Sequence, residues 1–153
     1  MRLADIYARV SPRLAHRPGA SLATRAHAWI VSRSGGRIGK TFLGSPLLVL
    51  RTTGRKTGNA RESPMLFVEY ERGCAVVASN AASRRVPAWW LNLQARPECE
   101  VFVAGRWREM RARAATDQEA SALWPRLDRA YAGFEHYRGI ATRDIPVVIL
   151  EPR

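Results

Sequence analysis

The stretch that most constrains this chain runs from Leu47 to Arg61, Leu-Leu-Val-Leu-Arg-Thr-Thr-Gly-Arg-Lys-Thr-Gly-Asn-Ala-Arg. Its first residues are apolar and suited to a strand. A turn follows, bounded by Gly54 and Gly58, with Arg55 and Lys56 inside it and Arg61 just beyond. Ser63 to Tyr70 then leads away as a second β-compatible run. Two such runs about a glycine-bounded turn predict a β-hairpin with a long loop. Glycine admits positive φ and close backbone approach. The loop thus gathers free backbone N–H groups, the hydroxyls of Thr52, Thr53 and Thr57, and cations. That set suits an anion with several oxygens, such as a phosphate or carboxylates; the plainer alternative is a solvated basic tip.

Charge is concentrated where the hairpin begins. Residues 1–61 hold twelve Lys and Arg against Asp5 alone, an excess of +11; the remainder holds thirteen against twelve, +1. A patch of this kind attracts acidic ligands, anionic lipid or nucleic acid through its long-range field. Only Lys40 and Lys56 are lysines. Over residues 2–17, Leu3, Ile6, Tyr7, Val10 and Leu14 recur at helical spacing among arginines, with Pro12 as a break. A basic amphipathic helix of this type either lies on an anionic membrane or covers the protein's own core. Residues 21–33 predict a second helix, with Leu22, Ala26, Trp29 and Ile30 on one face. Ser34 to Thr41 nearly spells a phosphate-binding P-loop, but serine stands where its first glycine belongs and the segment before it is helical. We therefore divide the chain into a basic helical segment, 1–45, and a β-rich domain, 46–153.

Beyond the hairpin, Cys74 to Ala78 predicts a third strand. A loop leads to a helix with Pro87 in its first turn, ended by Pro97; Trp89 and Leu93 face inward, with Trp90 as a further candidate. Glu100–Val103 and Trp107–Ala112 predict two strands about Ala104-Gly105. Thr116 and Glu119 form a capping box for a helix burying Leu123, Leu127 and Tyr131, which Pro125 should kink. Ile145 to Leu150 is apolar throughout and predicts a closing strand buried on both faces. The order of elements points to a small antiparallel barrel of mixed α+β type. Cys74 and Cys99 lie in apolar runs and predict buried free thiols of a reducing compartment. No metal-ligand spacing is visible, nor a signal-peptide core or a long apolar span, which predicts a cytoplasmic protein.

Thr52-Thr53-Gly54-Arg55-Lys56-Thr57-Gly58 resembles the phosphate-binding hairpin of the deazaflavin-dependent nitroreductase family. Val77-Ala78-Ser79-Asn80 followed by Pro87-Ala88-Trp89-Trp90-Leu91-Asn92 agrees in order and spacing, as does Leu123-Trp124-Pro125 through Tyr131, Phe134 and Tyr137 to Ile145–Pro152. The resemblance runs from about Pro46 to the C-terminus. It implies a split β-barrel of the flavin-reductase type and the cofactor F420, a deazaflavin whose 5-carbon passes hydride and whose side chain carries a phosphate and an acidic glutamate tail. It assigns Thr53, Gly54, Arg55, Lys56, Thr57 and Arg61 to that side chain, and Ala78, Ser79 and Asn80 to the edge of the ring. Pro87, Ala88 and Trp89 would form a wall, the alternative for Trp89 being a core anchor. Tyr131, Phe134 and Tyr137 would cover the reactive face, the plainer alternative being a simple hydrophobic lid. From the residues themselves, Ser79 is a candidate donor or proton relay, and Gly133 and Gly139 predict a cover free to move.

Two departures stand out. Ala81-Ala82 replaces a Gly-Gly pair common in the family, which predicts a stiffer loop, and Phe134 and Trp90 stand where relatives often have tyrosine. The expected activity is hydride transfer from reduced F420 to a flat, electron-poor small-molecule acceptor: a quinone, an enone or a nitro-aromatic. The nearest alternative is the same barrel using FMN. A nucleic-acid-binding barrel is not expected, because the aromatic residues lie away from most of the charge. The implied assembly is a monomer or homodimer, with residues 1–45 as the candidate contact for an anionic membrane surface at the inner face of the cell membrane.

Overall fold

Nine residues of the first long strand alternate about the barrel wall, and that alternation sets the architecture. In the computed structural model, which describes residues 45–153, Thr41–Phe42 and the helical positions Ala26, Ala28, Ile30 and Arg33, strand β2 is Ser45–Thr53. It is preceded by the short β1, Thr41–Phe42. Leu48 and Leu50 point inward; Leu47 and Val49 point outward and are buried as well. Full burial of each leucine contributes about 1.5–3 kcal/mol. β3 (Ala60–Tyr70) returns antiparallel, pairing Thr53 with Ala60, so the expected hairpin forms with loop 54–59.

The remaining elements are β4 (Gly73–Val77), a short turn of helix (Asn80–Ala82), α1 (Ala88–Ala95), β5 (Glu98–Val103), β6 (Arg106–Ala114), α2 (Asp117–Ala130), α3 (Gly133–Ile140) and β7 (Val147–Pro152). The sheet order β1-β2-β3-β4-β7-β6-β5, with β5 pairing back onto β2, closes a six-stranded antiparallel barrel. The expected α+β split barrel is therefore present. Closure also removes the exposed strand edges that would otherwise template association.

Three cores result. Inside the barrel, Leu48, Leu50, Cys74, Val76, Cys99, Val101, Met110 and Leu150 pack with Trp90 and Leu93 of α1. Both cysteines are free and buried, and burial pushes both thiols up to about 12, so they stay protonated at neutral pH. Outside the barrel, α2 and α3 cover Ala75, Val77, Val147 and Ile149. β7 is thus buried on both faces over Val147–Leu150, as its apolar run predicts. A small third core joins Val49, Phe102 and Ala28. Ala28 is buried while Ala26 and Ile30 are exposed, so the helical face expected through Ala26 and Ile30 is turned away from the barrel. The small methyl of Ala28 fits against Val49 and Phe102, and that contact sets the phase.

The capping box is present: Thr116 Oγ1 accepts from the Glu119 N–H at 3.2 Å, and Glu119 accepts from the Thr116 N–H at 2.8 Å. Pro125 does not end α2. The hydrogen bond it forgoes would run to Ser121, and both residues are exposed, so water can serve the freed carbonyl. Residues 2–17 and 34–40, and with them the first expected helix and the near P-loop, lie outside the described residues, as does the structural basis of any membrane contact by residues 1–45.

Candidate active site

The strand registers bring one set of ends together. Thr53 faces Ala60, Arg51 faces Glu100 near the start of β5, Val77 faces Val147, and Ala114 faces Val148. Loop 54–59, the Ala78–Asn80 exit of β4 and both ends of α1 consequently share one end of the barrel. The sequence blocks singled out above, separated along the chain, meet here. A cavity of about 300 Å³ lies at the opposite mouth, among Phe67, Cys74, Val101 and Met110 with Glu69 and Arg108 at its rim, away from this chemistry.

The hairpin loop is tightly built. The Gly54 N–H donates to the Asn59 carbonyl at 2.8 Å, and the Gly58 N–H to the Gly54 carbonyl at 2.7 Å. Gly58 has φ +71°, the left-handed region that favours glycine. Gly54 needs its missing Cβ for space: one placed there would stand 3.0 Å from Thr57 Oγ1, 3.1 Å from the Asn59 carbonyl oxygen and 3.6 Å from Arg61 Nε. The result is a cradle rimmed by Arg55, Lys56, Thr57 and Arg61, all exposed, with Thr53 half-buried at its base. Among the described residues, no carboxylate pairs with Arg55, Lys56 or Arg61. Arg51 makes the contrast: it pairs with Glu62 and Glu100 and stacks over Trp107 at 3.6 Å, so its charge is spent on the outer wall.

One brace under this loop was not anticipated. Asn92 of α1 is buried, and its Oδ1 accepts from the Arg55 backbone N–H at 3.1 Å and from its guanidinium at 3.3 Å. Its Nδ2 donates to Thr52 Oγ1, also buried, at 3.1 Å. The signal available was a lone amide within the apolar run Trp89-Trp90-Leu91-Asn92-Leu93; a buried polar residue needs a partner. Pro87 caps α1 one position before the expected first turn and is buried, Ala88 is exposed, and Trp89 is half-buried against the barrel core, 6.2 Å from the Trp90 ring. Trp90 takes the fully inward position.

At the end of β4, Ala78 donates to the Pro146 carbonyl at 3.0 Å. Ser79 is buried, and its hydroxyl bonds to no other described residue. Asn80, Ala81 and Ala82 then have φ of 45°, 49° and 59°, three successive left-handed residues. The expected stiff loop is thus a strained one: asparagine tolerates this region, but each alanine there costs about 1–2 kcal/mol. Arg143, which no sequence signal singled out, binds this loop through the carbonyls of Ala78, Ser79 and Ser83.

Tyr131, Phe134 and Tyr137 are buried to within 4–6% exposure in the outer core, against Val77, Val147 and Leu127. Ala81 and Ala82 pack on the same cluster. The Tyr131 and Tyr137 hydroxyls lie 3.1 Å apart, and the Phe134 ring meets Tyr131 edge-on at 5.1 Å. Gly133, expected to free the cover to move, lies beside a packed cluster of the three rings. A Cβ at Gly133 would stand 2.2 Å from Tyr131 Cε1, so glycine here makes room for a ring.

Residues 23–152 match the family described as F420H(2)-dependent quinone reductase. The chain belongs to that family. An F420H(2)-dependent quinone reductase of Mycobacterium tuberculosis is 32% identical over 133 residues, covering 84% of this chain and 89% of its own. Among solved structures, an F420-H2 dependent reductase is similar with a TM-score of 0.64 and 31% identity, over 69% of this chain and 94% of that one. A chain described as a domain-swapped dimer is similar with a TM-score of 0.66 and 29% identity, over 83% of this chain and 96% of that one. Membership makes this protein an F420-dependent oxidoreductase of the quinone reductase type, taking a small-molecule acceptor. It also decides the cofactor in favour of F420 over the FMN alternative. The family match begins ahead of Pro46, the expected domain boundary. Among the described residues, no helix is long and apolar enough to cross a membrane.

Proposed function

We propose that the hairpin end of the barrel holds F420 and that the chain there reduces a quinone-type acceptor to the quinol. The observation that carries this is the uncompensated cation set on a braced cradle: Lys56 and Arg61 exposed without carboxylate partners, and Arg55 held by Asn92. An anionic side chain would find there a bidentate guanidinium, a point charge and free amides. Thr53, Gly54, Arg55, Lys56, Thr57 and Arg61 would bind the phosphate and acidic tail. The free amides of Ser79 and Asn80, at the Ala78 exit of β4, would meet the ring's edge, with Pro87, Ala88 and Trp89 as the wall beside it.

When bound, the cofactor supplies the hydride. The protein's part is to orient the two flat partners and exclude water from the transfer. Ser79, with its hydroxyl free of other described residues, would pass the proton that accompanies the hydride to the acceptor oxygen. Tyr131, Phe134 and Tyr137 would back the turn that carries Ser79 and border the acceptor. The swapped neighbour supports a homodimer as the assembly.

The test is F420 affinity by fluorescence titration. Lys56→Ala should weaken binding by about 1–3 kcal/mol, the scale of a hydrogen bond to a charged group. The loss should be smaller for a cofactor fragment lacking the phosphate. Equal loss for fragment and whole cofactor would remove Lys56 from the phosphate site.

The +11 excess over residues 1–61 supports a second element, peripheral contact of residues 1–45 with anionic membrane from the cytoplasmic side, where a lipid-soluble quinone is reached. Full-length protein should co-sediment with phosphatidylserine vesicles at low salt, and replacing Arg2, Arg9, Arg13 and Arg17 by Gln should release it. Wild-type protein left in the supernatant would end that reading.

A further inference from the structure

Arg143 lies between α3 and β7 and reaches back to the turn that follows β4. Its Nη2 donates to the carbonyls of Ala78 at 3.1 Å and Ser79 at 2.8 Å. Its Nε donates to the Ser83 carbonyl at 2.8 Å, and Nη1 to that of Asp144 at 2.8 Å. All of these acceptors are uncharged. Arg51, Arg111, Arg113 and Arg138 each hold a carboxylate; Arg143 holds none among the described residues. Burial pushes its guanidinium down from the ordinary arginine value, and no anion offsets that burial. Arginine stays charged in proteins nonetheless, so a full positive charge sits against this loop with only peptide dipoles to meet it.

The other side of the same peptides is open. The N–H groups of Ser79, Asn80 and Ala81 find no acceptor among the described residues, whereas the next two, Ala82 and Ser83, donate to the Ser79 and Asn80 carbonyls at 3.0 Å. Ser79 is right-handed (φ −75°, ψ −38°) and Asn80 left-handed (φ 45°). A right-then-left succession turns consecutive N–H groups into one concavity that favours an electron-rich group. The Ala78 carbonyl and the Ser79 N–H belong to one peptide, and the Ser79 carbonyl and the Asn80 N–H to the next. A charged donor on the carbonyl draws electron density toward oxygen and strengthens the N–H as a donor.

We propose that Arg143 is a positioning residue of the reductase, fixing and polarising the Ala78–Ser79 and Ser79–Asn80 peptides so that their free amides hold the electron-rich edge of the deazaflavin ring. The inference rests on the proposed location of the cofactor and adds to it a specific cause for the strained turn. Three left-handed L-residues persist because the guanidinium fastens the carbonyls on either side of them.

The experiment compares Arg143→Gln, Arg143→Lys and Lys56→Ala with wild type by F420 titration, thermal unfolding and steady-state kinetics. Arg143→Gln should weaken F420 binding about tenfold or more, the scale of a lost charge-assisted hydrogen-bond set. It should lower kcat while leaving quinone KM within about twofold, since the acceptor does not touch these amides. Arg143→Lys, which keeps the charge and loses the fork, should recover part of the affinity. Hydrogen exchange on the wild-type protein gives a readout independent of any variant: saturating F420 should slow exchange at Ser79, Asn80 and Ala81. A folded Arg143→Gln with affinity within twofold of wild type overturns the proposal, as does unchanged exchange at these amides. If Lys56→Ala still weakens binding in that case, Arg143 alone has been misassigned; if it does not, the cofactor's proposed location falls too.

Discussion

The carboxamide oxygen of Asn92 accepts from both the backbone N–H and the guanidinium of Arg55, at 3.1 and 3.3 Å. One side chain of α1 thereby fixes both the path of the hairpin loop and the direction of its first cation, and Thr52 anchors that side chain from below. Asn92→Ala strands a buried Thr52 hydroxyl and should cost about 1–3 kcal/mol in a urea melt. F420 affinity should fall roughly fivefold or more, because Arg55 must then be ordered on binding. Asn92→Asp separates bracing from charge. It keeps an acceptor beside Arg55 but neutralises the site, so affinity should fall while most of the stability remains. Unchanged affinity in both variants would mean that Arg55 has no part in binding the cofactor.

This brace also marks where the sequence stops being readable. The hairpin, the capping box at Thr116 and Glu119 and the doubly buried β7 follow from patterns within a few residues, and each is present. Asn92 and Arg143 work through partners distant in sequence, reaching residues 37–40 and 60–65 positions away. No local periodicity encodes such pairings. The aromatic triad shows a subtler limit. Spacing placed Tyr131, Phe134 and Tyr137 together, but whether they cover a cavity or fill a core depends on what α3 packs against. The answer is the outer face of β4 and β7 and the Ala81–Ala82 turn.

Acid stability should depend on one carboxylate. Glu119 receives two hydrogen bonds from Arg113 at 2.7 Å, one from the Thr116 N–H and one from Tyr70. The Arg113 contact leads in holding its pKa at about 2, against an ordinary 4.5. A depressed carboxylate pKa stabilises the fold above the unfolded value, and that contribution is lost as pH falls through the folded one. Glu119→Gln should therefore lower Tm at pH 7. The difference from wild type should shrink between pH 4.5 and 2. A Tm difference that stays constant across this range would exclude the carboxylate charge as its source.

The left-handed turn can be relieved. At Ala81 and Ala82, with φ of 49° and 59°, glycine would remove a local cost of about 1–2 kcal/mol per residue. It would add about 0.5–1 kcal/mol of unfolded-state entropy. The net is a gain of roughly 0.5–1 kcal/mol for each substitution, a Tm rise of about 1–4 °C for a domain of this size. A fall in Tm for both Ala81→Gly and Ala82→Gly would show that the two methyls, which pack on the Tyr131–Tyr137 cluster, matter more than the backbone strain.

The cluster itself needs variants that separate chemistry from packing. Tyr137 is 4% exposed, so Tyr137→Ala would open a cavity costing about 3–5 kcal/mol, and any loss of activity would be ambiguous. Tyr137→Phe removes only the hydroxyl that lies 3.1 Å from the Tyr131 hydroxyl. If these phenols border the acceptor, Tyr137→Phe should lower kcat/KM for quinones by about threefold to tenfold while F420 affinity stays within about twofold. Phe134→Tyr tests the same edge from the other side. It adds a hydroxyl where the family resemblance implies one, and should shift the ranking of acceptors rather than cofactor affinity. The measurement is steady-state kinetics with a quinone, an enone and a nitro-aromatic beside an F420 titration and a melt. Should Tyr137→Phe leave all three acceptors unchanged while lowering Tm, the hydroxyl pair serves only to hold α3 on the barrel. The phenols would then have no part in bounding the acceptor.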